Sequence, residues 1–353
     1  YTDFLTSIER TKPVTTELDK IRKKSSQASS AETTNQLFNV PEGTKAPDFR
    51  GIDSWINSSP LTMQQLRGHV VLVDFWTYTC INCIRSLQYV TKWYDSYKKD
   101  GLIIVGVHSP EFPFERDRNN VIAATKRFGI SYPVAQDNNL ATWNNFNNQF
   151  WPAEYLIDPS GNIRRQDFGE GSYTEMEGAI QELLRANGKA ISQKVNDPLN
   201  VNFNAAMSTE TYLGTDRESQ DQNPFQTITN GIHQYARPKS LYESTFALQG
   251  RWNVDNLFIS SLGNSEIYYN FNAHQVYVIL RPHQLGITDT VEVYLDGKLL
   301  TGSTAGSDVV GGKISVTSDR LYNIFNSEEK LSNQELRLVF LNQGTQAYTF
   351  TFG

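Results

Sequence analysis

Cysteine is nearly absent from this chain. Only Cys80 and Cys83 occur among 353 residues, with Ile81-Asn82 between them. That excludes a secreted domain stapled by several disulfides. It also starves a zinc site, which takes about four ligands. His69, His108, His233, His274 and His283 show no paired spacing, so no metal site is expected. No apolar run approaches the roughly 20 residues that span a bilayer. An excess of positive charge is missing too: 32 Lys and Arg stand against 38 Asp and Glu, a net charge of −6. A nucleic-acid partner is therefore not expected. The chain opens on Tyr1 rather than Met. The expectation is that a signal peptide or membrane anchor once preceded it. Two cysteines alone suit an oxidising compartment in which stray thiols have been avoided, and suit a cytosolic enzyme equally well.

What is present points to two domains. The length suffices for two cores, and 39% hydrophobic with 20% charged residues describes a globular chain. Residues 1–40 include the Ser-rich, aromatic-poor "IRKKSSQASSAETTNQ" and read as a flexible tether. From 41 to 190 strands and helices alternate. "HVVLVDFW" (69–76) is a nearly continuous apolar run, which fits a central strand covered on both faces and hence a parallel sheet. A helix is expected from about Cys80, with Ile84, Leu87, Val90, Tyr94 and Tyr97 on one face, ended by Lys98, Lys99 and Gly101. "LIIVGV" (102–107) reads as a second strand. A helix through Val121, Ala124 and Phe128 follows, then a short strand, a short helix, and a hairpin turning at Pro159-Ser160-Gly161-Asn162. Met176, Ile180, Leu183 and Leu184 mark a last helix stopping at Asn187-Gly188. This order predicts an α/β sandwich.

Residues 191–208 read as a linker. Beyond 209 the helical period disappears. "FALQGRWNV", "SEIYYNFNA", "HQVYVILRP", "VEVYLDGKLL", "QELRLVFLN" and "AYTFTF" are strand candidates, and Asp296-Gly297 is a hairpin signal. An all-β sandwich over 209–353 is expected.

The dithiol admits three readings. A staple closing two intervening residues constrains the unfolded chain little, because the loop term grows with length. A metal site lacks ligands. A working redox pair fits best. At the first turn of a helix after a strand, Cys80 would face free N–H groups and the positive dipole end, both of which stabilise a thiolate. Thr79 or Tyr78 would cap that turn. Cys83, one turn on, could attack a mixed disulfide at Cys80. Asp74 sits inside the apolar strand, where a carboxylate is costly without a role or a partner. It reads as a proton relay or as a paired structural acid. His108 and Glu111 follow the second strand, at the carboxyl edge that lines ligand crevices in parallel sheets. They read as substrate-binding residues, or as a strand cap and a solvated acid.

"VDFWTYTCINC" resembles the thioredoxin superfamily, with strand, Trp and C-x-x-C in that order. "APDF" and "YLIDPSGNI" are similar to the membrane-anchored TlpA and ResA-like reductases. "FWTYTCINCIRSL", "IVGVHSPEF", "FWPAEYLID", "ETYLG" and "AYTFTFG" resemble the extracytoplasmic part of DipZ-type proteins, a likeness running from about Gly43 to Gly353. The resemblance implies a thioredoxin-like domain followed by a jelly-roll, carbohydrate-binding-module-like sandwich. It implies Cys80 as attacking thiol, Cys83 as resolving thiol, Asp74 as the buried acid and Trp76 as the packing Trp. Pro152 would be the cis-proline facing the dithiol, with the Trp151 backbone and Tyr78 offered to substrate. No cofactor beyond the redox-active pair is implied. Disulfide-bearing proteins would be substrates. A DsbD/CcdA-like membrane donor, encoded upstream in the same chain, would supply electrons outside the cytoplasm. In the second domain Trp252, Tyr268, Tyr269 and Tyr277 would stack on cell-wall or other glycans. Neighbours such as Tyr268 and Tyr269 must point to opposite faces of a regular strand, and most strand aromatics are core.

Two departures matter. Ile81-Asn82 is neither the Gly-Pro of reducing thioredoxins nor the Pro-His of strong oxidants; the missing His leans toward a reductant. Gln88 stands where many relatives have a helix-kinking Pro. A peroxidase is the alternative, because "APDF" and a Thr three residues before Cys80 also occur in peroxiredoxins. The Pro of their motif is missing here. A glycan-binding surface protein with an accessory redox domain is the third reading.

Overall fold

The computed structural model describes residues 37–191, 207–216 and 226–353. Most of the expected tether (1–40) and linker (191–208) lies outside them. Two compact units are found. One is Tyr1–Trp76, Ser86–Ser109 and Gly129–Asn196; the other is Thr77–Arg85, Pro110–Phe128 and Asp197–Gly353.

The first unit is built on strands β1 (Ser54–Ile56), β2 (Val70–Trp76), β3 (Leu102–His108), β4 (Val134–Gln136), β5 (Ala153–Ile157) and β6 (Ile163–Phe168). They form one sheet in the order β1-β4-β3-β2-β5-β6. All seven residues of β2 are buried, as an unbroken apolar run requires. The sheet is mixed, however, rather than parallel. β2 runs parallel to β3 but antiparallel to β5, because the terminal hairpin lays its first strand back against β2. β1 had no signal in the sequence: three residues cannot display an alternation, and it forms by antiparallel pairing with β4.

Successive β2 side chains alternate between faces. Val71, Val73 and Phe75 enter a core with Trp143, Phe146 and Tyr155, and Phe75 meets these three rings edge-on at 5.3–5.7 Å. Leu72, Asp74 and Trp76 take the other face. Helix α1 (Ile81–Tyr97) follows β2. Its buried stripe is Cys83, Leu87, Val90, Trp93 and Tyr97. Ile84 and Tyr94, expected inside, are only partly buried, because the stripe keeps to the 4-3-3-4 spacing that starts at Cys83. Gly101 ends this region at φ +100°, a conformation that costs glycine little. Helices α3 (Ala141–Asn145) and α4 (Tyr173–Ala186) complete the first unit, while α2 (Arg118–Arg127) belongs to the second.

The second half of the chain is all-β among its described residues. Its eleven strands join one hydrogen-bonded sheet. Two expected strands, "SEIYYNFNA" and "HQVYVILRP", are one bent 17-residue strand, Ser265–Arg281. Its first half pairs with Thr245–Val254 and its second half with Gln346–Phe352. Register shifts after Phe271 make the bend, as bulges do. A 21-residue strand, Arg320–Phe340, runs beside it. These strands enclose one hydrophobic core, in keeping with the all-β region expected over 209–353. Asp296 and Gly297 both take positive φ in the anticipated hairpin turn.

Candidate active site

Cys80 immediately precedes α1, and its Sγ accepts the Cys83 N–H at 3.2 Å. The thiol itself therefore fills the N-cap role, satisfying one of the donors that every helix start leaves open. The expected caps act elsewhere. Tyr78 is buried and donates its hydroxyl toward the Phe114 carbonyl, so it offers substrate no surface; burial raises its pKa further. Thr79 Oγ1 donates to Glu115 Oε1 at 2.5 Å. Cys80 is half-buried and Cys83 fully buried. Both are free thiols.

Glu115 carries no periodic signal in the sequence. It is buried, and it also accepts the backbone N–H groups of Glu111 at 2.6 Å and Phe112 at 2.9 Å. Burial, with the Glu111 charge adding, raises its pKa to about 7. The turn before Cys80 is thereby tied to the 111–115 segment. Glu111 is not simply solvated: within the second unit its carboxylate accepts the Tyr212 hydroxyl at 2.7 Å.

In the first unit, Asp74 is fully buried, and neither oxygen has a hydrogen-bond partner among the described residues. Burial alone raises its pKa to about 7. Two residues on, Trp76 lies edge-on to His108 at 5.1 Å. His108 is buried at the end of β3, and desolvation drives its pKa to about 3, so it is neutral in this site. Gly106 opposes Asp74 in the β2–β3 register. A Cβ there would lie 2.9 Å from Trp76 Nε1 and 3.0 Å from a Tyr132 ring carbon. Only glycine lets the indole lie this close. The Trp151-Pro152 bond is cis, and Pro152 leads into β5, whose Ala153 pairs with Phe75. Trp151 donates its indole N–H to the Ser109 carbonyl at 3.0 Å and packs on Trp143 at 4.3 Å.

Glu154 also went unread. It is an acid in the buried strand "AEYLI", the same kind of signal that Asp74 gave. Burial raises its pKa well above the ordinary value, and the Asp74 charge adds to the rise.

The four aromatics expected to stack on glycan do not form a platform. Trp252 and Tyr269 are fully buried in the β core. Trp252 donates its indole N–H to Gln249 O and packs edge-on against Phe340. Tyr268 does face the other side, but Arg237 covers it at 4.3 Å. Tyr277 is half-buried and donates its hydroxyl to Gln275. No cluster of three or more metal-ligating side chains occurs among the described residues.

Residues 41–182 match the Redoxin family, and residues 208–353 match the family described as a thioredoxin like C-terminal domain. Protein DipZ of Mycobacterium tuberculosis is 36% identical over 338 residues, covering 90% of this chain and 45% of DipZ. The chain thus spans about half the length of this relative. The thiol-disulfide oxidoreductase YkuV of Bacillus subtilis is 27% identical over 39% of this chain and 93% of its own. ResA of Bacillus thuringiensis is 25% identical over 40% of this chain and 78% of its own. These likenesses join a thioredoxin-like α/β fold with a C-terminal β region, and they make the chain a homologue of DipZ along nine-tenths of its length.

Proposed function

We propose that this chain is a thiol–disulfide oxidoreductase that reduces protein disulfides outside the cytoplasm. The observation that carries the reading is the helix-capping thiol. Cys80 is reachable, its sulfur accepts a backbone N–H, and buried Cys83 lies one turn on. The thiolate is the nucleophilic form of a cysteine. The Cys80 thiolate attacks a substrate disulfide, forming Cys80–S–S–R and releasing the other substrate thiolate. Cys83 attacks the Cys80 sulfur and releases the second thiolate, which takes up the proton that Cys83 gives up. Two electrons reach the substrate, and the chain is left with a Cys80–Cys83 disulfide. A membrane dithiol donor of the DsbD/CcdA kind would restore the dithiol.

The test is turnover of a protein disulfide by the reduced chain together with the reduction potential of the pair. A potential near or below about −250 mV supports a reductant, and one near −120 mV overturns it. Cys80→Ser should abolish turnover, and Cys83→Ser should accumulate mixed disulfides at Cys80. Rapid peroxide consumption at Cys80 would instead favour the peroxidase.

A further inference from the structure

Two tyrosines of the β region grip the segment that holds the turn before Cys80. All the residues concerned lie in the second unit, which contains Thr77–Arg85 with the dithiol, Pro110–Phe128 and the β strands. Residues Pro113–Arg116 form a short 3₁₀ turn. The rings on either side of Pro113, Phe112 and Phe114, are buried and lie nearly parallel at 5.6 Å. Tyr348 meets both edge-on, at 5.2 and 5.0 Å, an arrangement that aromatic rings favour. Tyr212 pairs with Thr349 on the neighbouring strand, and its hydroxyl donates to the Glu111 carboxylate at 2.7 Å.

Tyr348 does not serve the β core. Ala347, Phe350 and Phe352 of its own strand enter that core, while Tyr348 is 2% exposed and not part of it. Its ring packs on Phe112, Phe114 and Phe258 instead, and its hydroxyl donates to Gln346 at 2.7 Å. What the ring covers is therefore the 112–114 stretch. From there the path to the nucleophile is short. Glu115 accepts the backbone N–H groups of Glu111 and Phe112 on one oxygen and the Thr79 hydroxyl on the other, and Thr79 immediately precedes Cys80. Tyr78 adds a second tie: its hydroxyl donates to the Phe114 carbonyl, and its ring lies 6.3 Å from the Phe114 ring.

We propose that the β region completes the redox site: Tyr348, backed by Tyr212, braces the 111–115 segment and through it fixes the turn that carries Cys80 beside Cys83. This deepens the reductase reading and rests on it only for the reaction that the dithiol performs. Tyr348 is a positioning residue, acting on Cys80 through the 111–115 segment. A fixed turn keeps each sulfur within reach of the other. The β region thereby has a part in the reaction that needs no glycan.

The test equilibrates the full reduced chain with oxidised glutathione. The Cys80–Cys83 disulfide forms, two electrons pass to the glutathione disulfide, and the two glutathione thiols released carry the two protons. The equilibrium constant reads how well the two sulfurs are held for each other. Tyr348→Ala should lower it by about tenfold, which raises the potential of the pair by about 30 mV. Alkylation of Cys80 should quicken in the same variant, under conditions where it stays folded. Tyr348→Phe keeps the ring and should keep both values. Tyr212→Phe removes the hydroxyl that grips Glu111; it should shift both values less, and it decides where Tyr348→Ala does not fold. Trp252→Phe, inside the β core, controls for lost stability alone and should shift neither. Parental values in Tyr348→Ala and Tyr212→Phe overturn the brace, as do equal shifts in Tyr348→Phe or Trp252→Phe. Neither measurement uses a protein substrate. If the chain reduces no protein disulfide, the functional reading falls, while the expected shifts still uphold the brace.

Discussion

Asp74 shows how far one buried group can be pushed. It keeps its proton to about pH 7 when folded, against 3.8 as the ordinary value. Between those pH values the folded state binds the extra proton, so stability falls as pH rises. Asp74→Asn should remove that slope and stabilise the chain at pH 8 by on the order of 3 kcal/mol. Urea unfolding at a series of pH values reads this out, and parallel profiles for the variant and the parent would contradict it. Glu115 behaves otherwise under substitution, because three donors converge on it. Glu115→Leu strands two backbone N–H groups and the Thr79 hydroxyl. A loss of about 2–5 kcal/mol is expected in denaturant melts, with faster alkylation of Cys80 as its turn loosens.

At the level of elements, strand β2, helix α1 and the C-terminal hairpins were legible, because their patterns are local. A buried strand is an apolar run, a helix end is Lys-Lys-Asp-Gly, and a tight turn is Asp-Gly. The pairing partners were not legible. Nothing in "AEYLI" says that it meets β2 antiparallel, and nothing in "SWI" marks a strand at all. The bend that joins two expected strands into Ser265–Arg281 depends on register with neighbours far along the chain. The site divided in the same way. Cys80, Cys83 and Asp74 announced themselves by type and position. Glu115 required knowledge of which backbone donors would surround it. Trp252 and Tyr269 lie in the core, as most strand aromatics do, but composition is blind to which face of a strand is covered. Trp252→Ala should therefore act on folding of the β region, costing about 3–5 kcal/mol in unfolding experiments. A variant with native stability but weakened glycan binding would restore the platform reading. Gly106→Ala should drive a methyl into the Trp76 indole, costing about 1–3 kcal/mol and shifting tryptophan emission. Unaltered emission and stability would mean that the indole does not need the space.

Across the whole molecule, buried titrating groups pull in opposite directions. Asp74 and Glu115 each lose stability as pH rises through the interval below about 7. His108, held neutral down to about pH 3, loses stability as pH falls through the interval from 6.5 to about 3. The thermal midpoint should therefore peak on the acid side of neutrality. The double variant Asp74→Asn with Glu115→Gln should move that peak upward, and a peak that stays in place would argue against both assignments. The dithiol also sets a simple stoichiometry. Cys83 is wholly covered while Cys80 is not. An alkylating reagent applied to the native reduced chain should thus add one mass increment and stop. Counting adducts by mass spectrometry then becomes a gauge of integrity: native chains carry one, unfolded reduced chains carry two, and oxidised chains carry none.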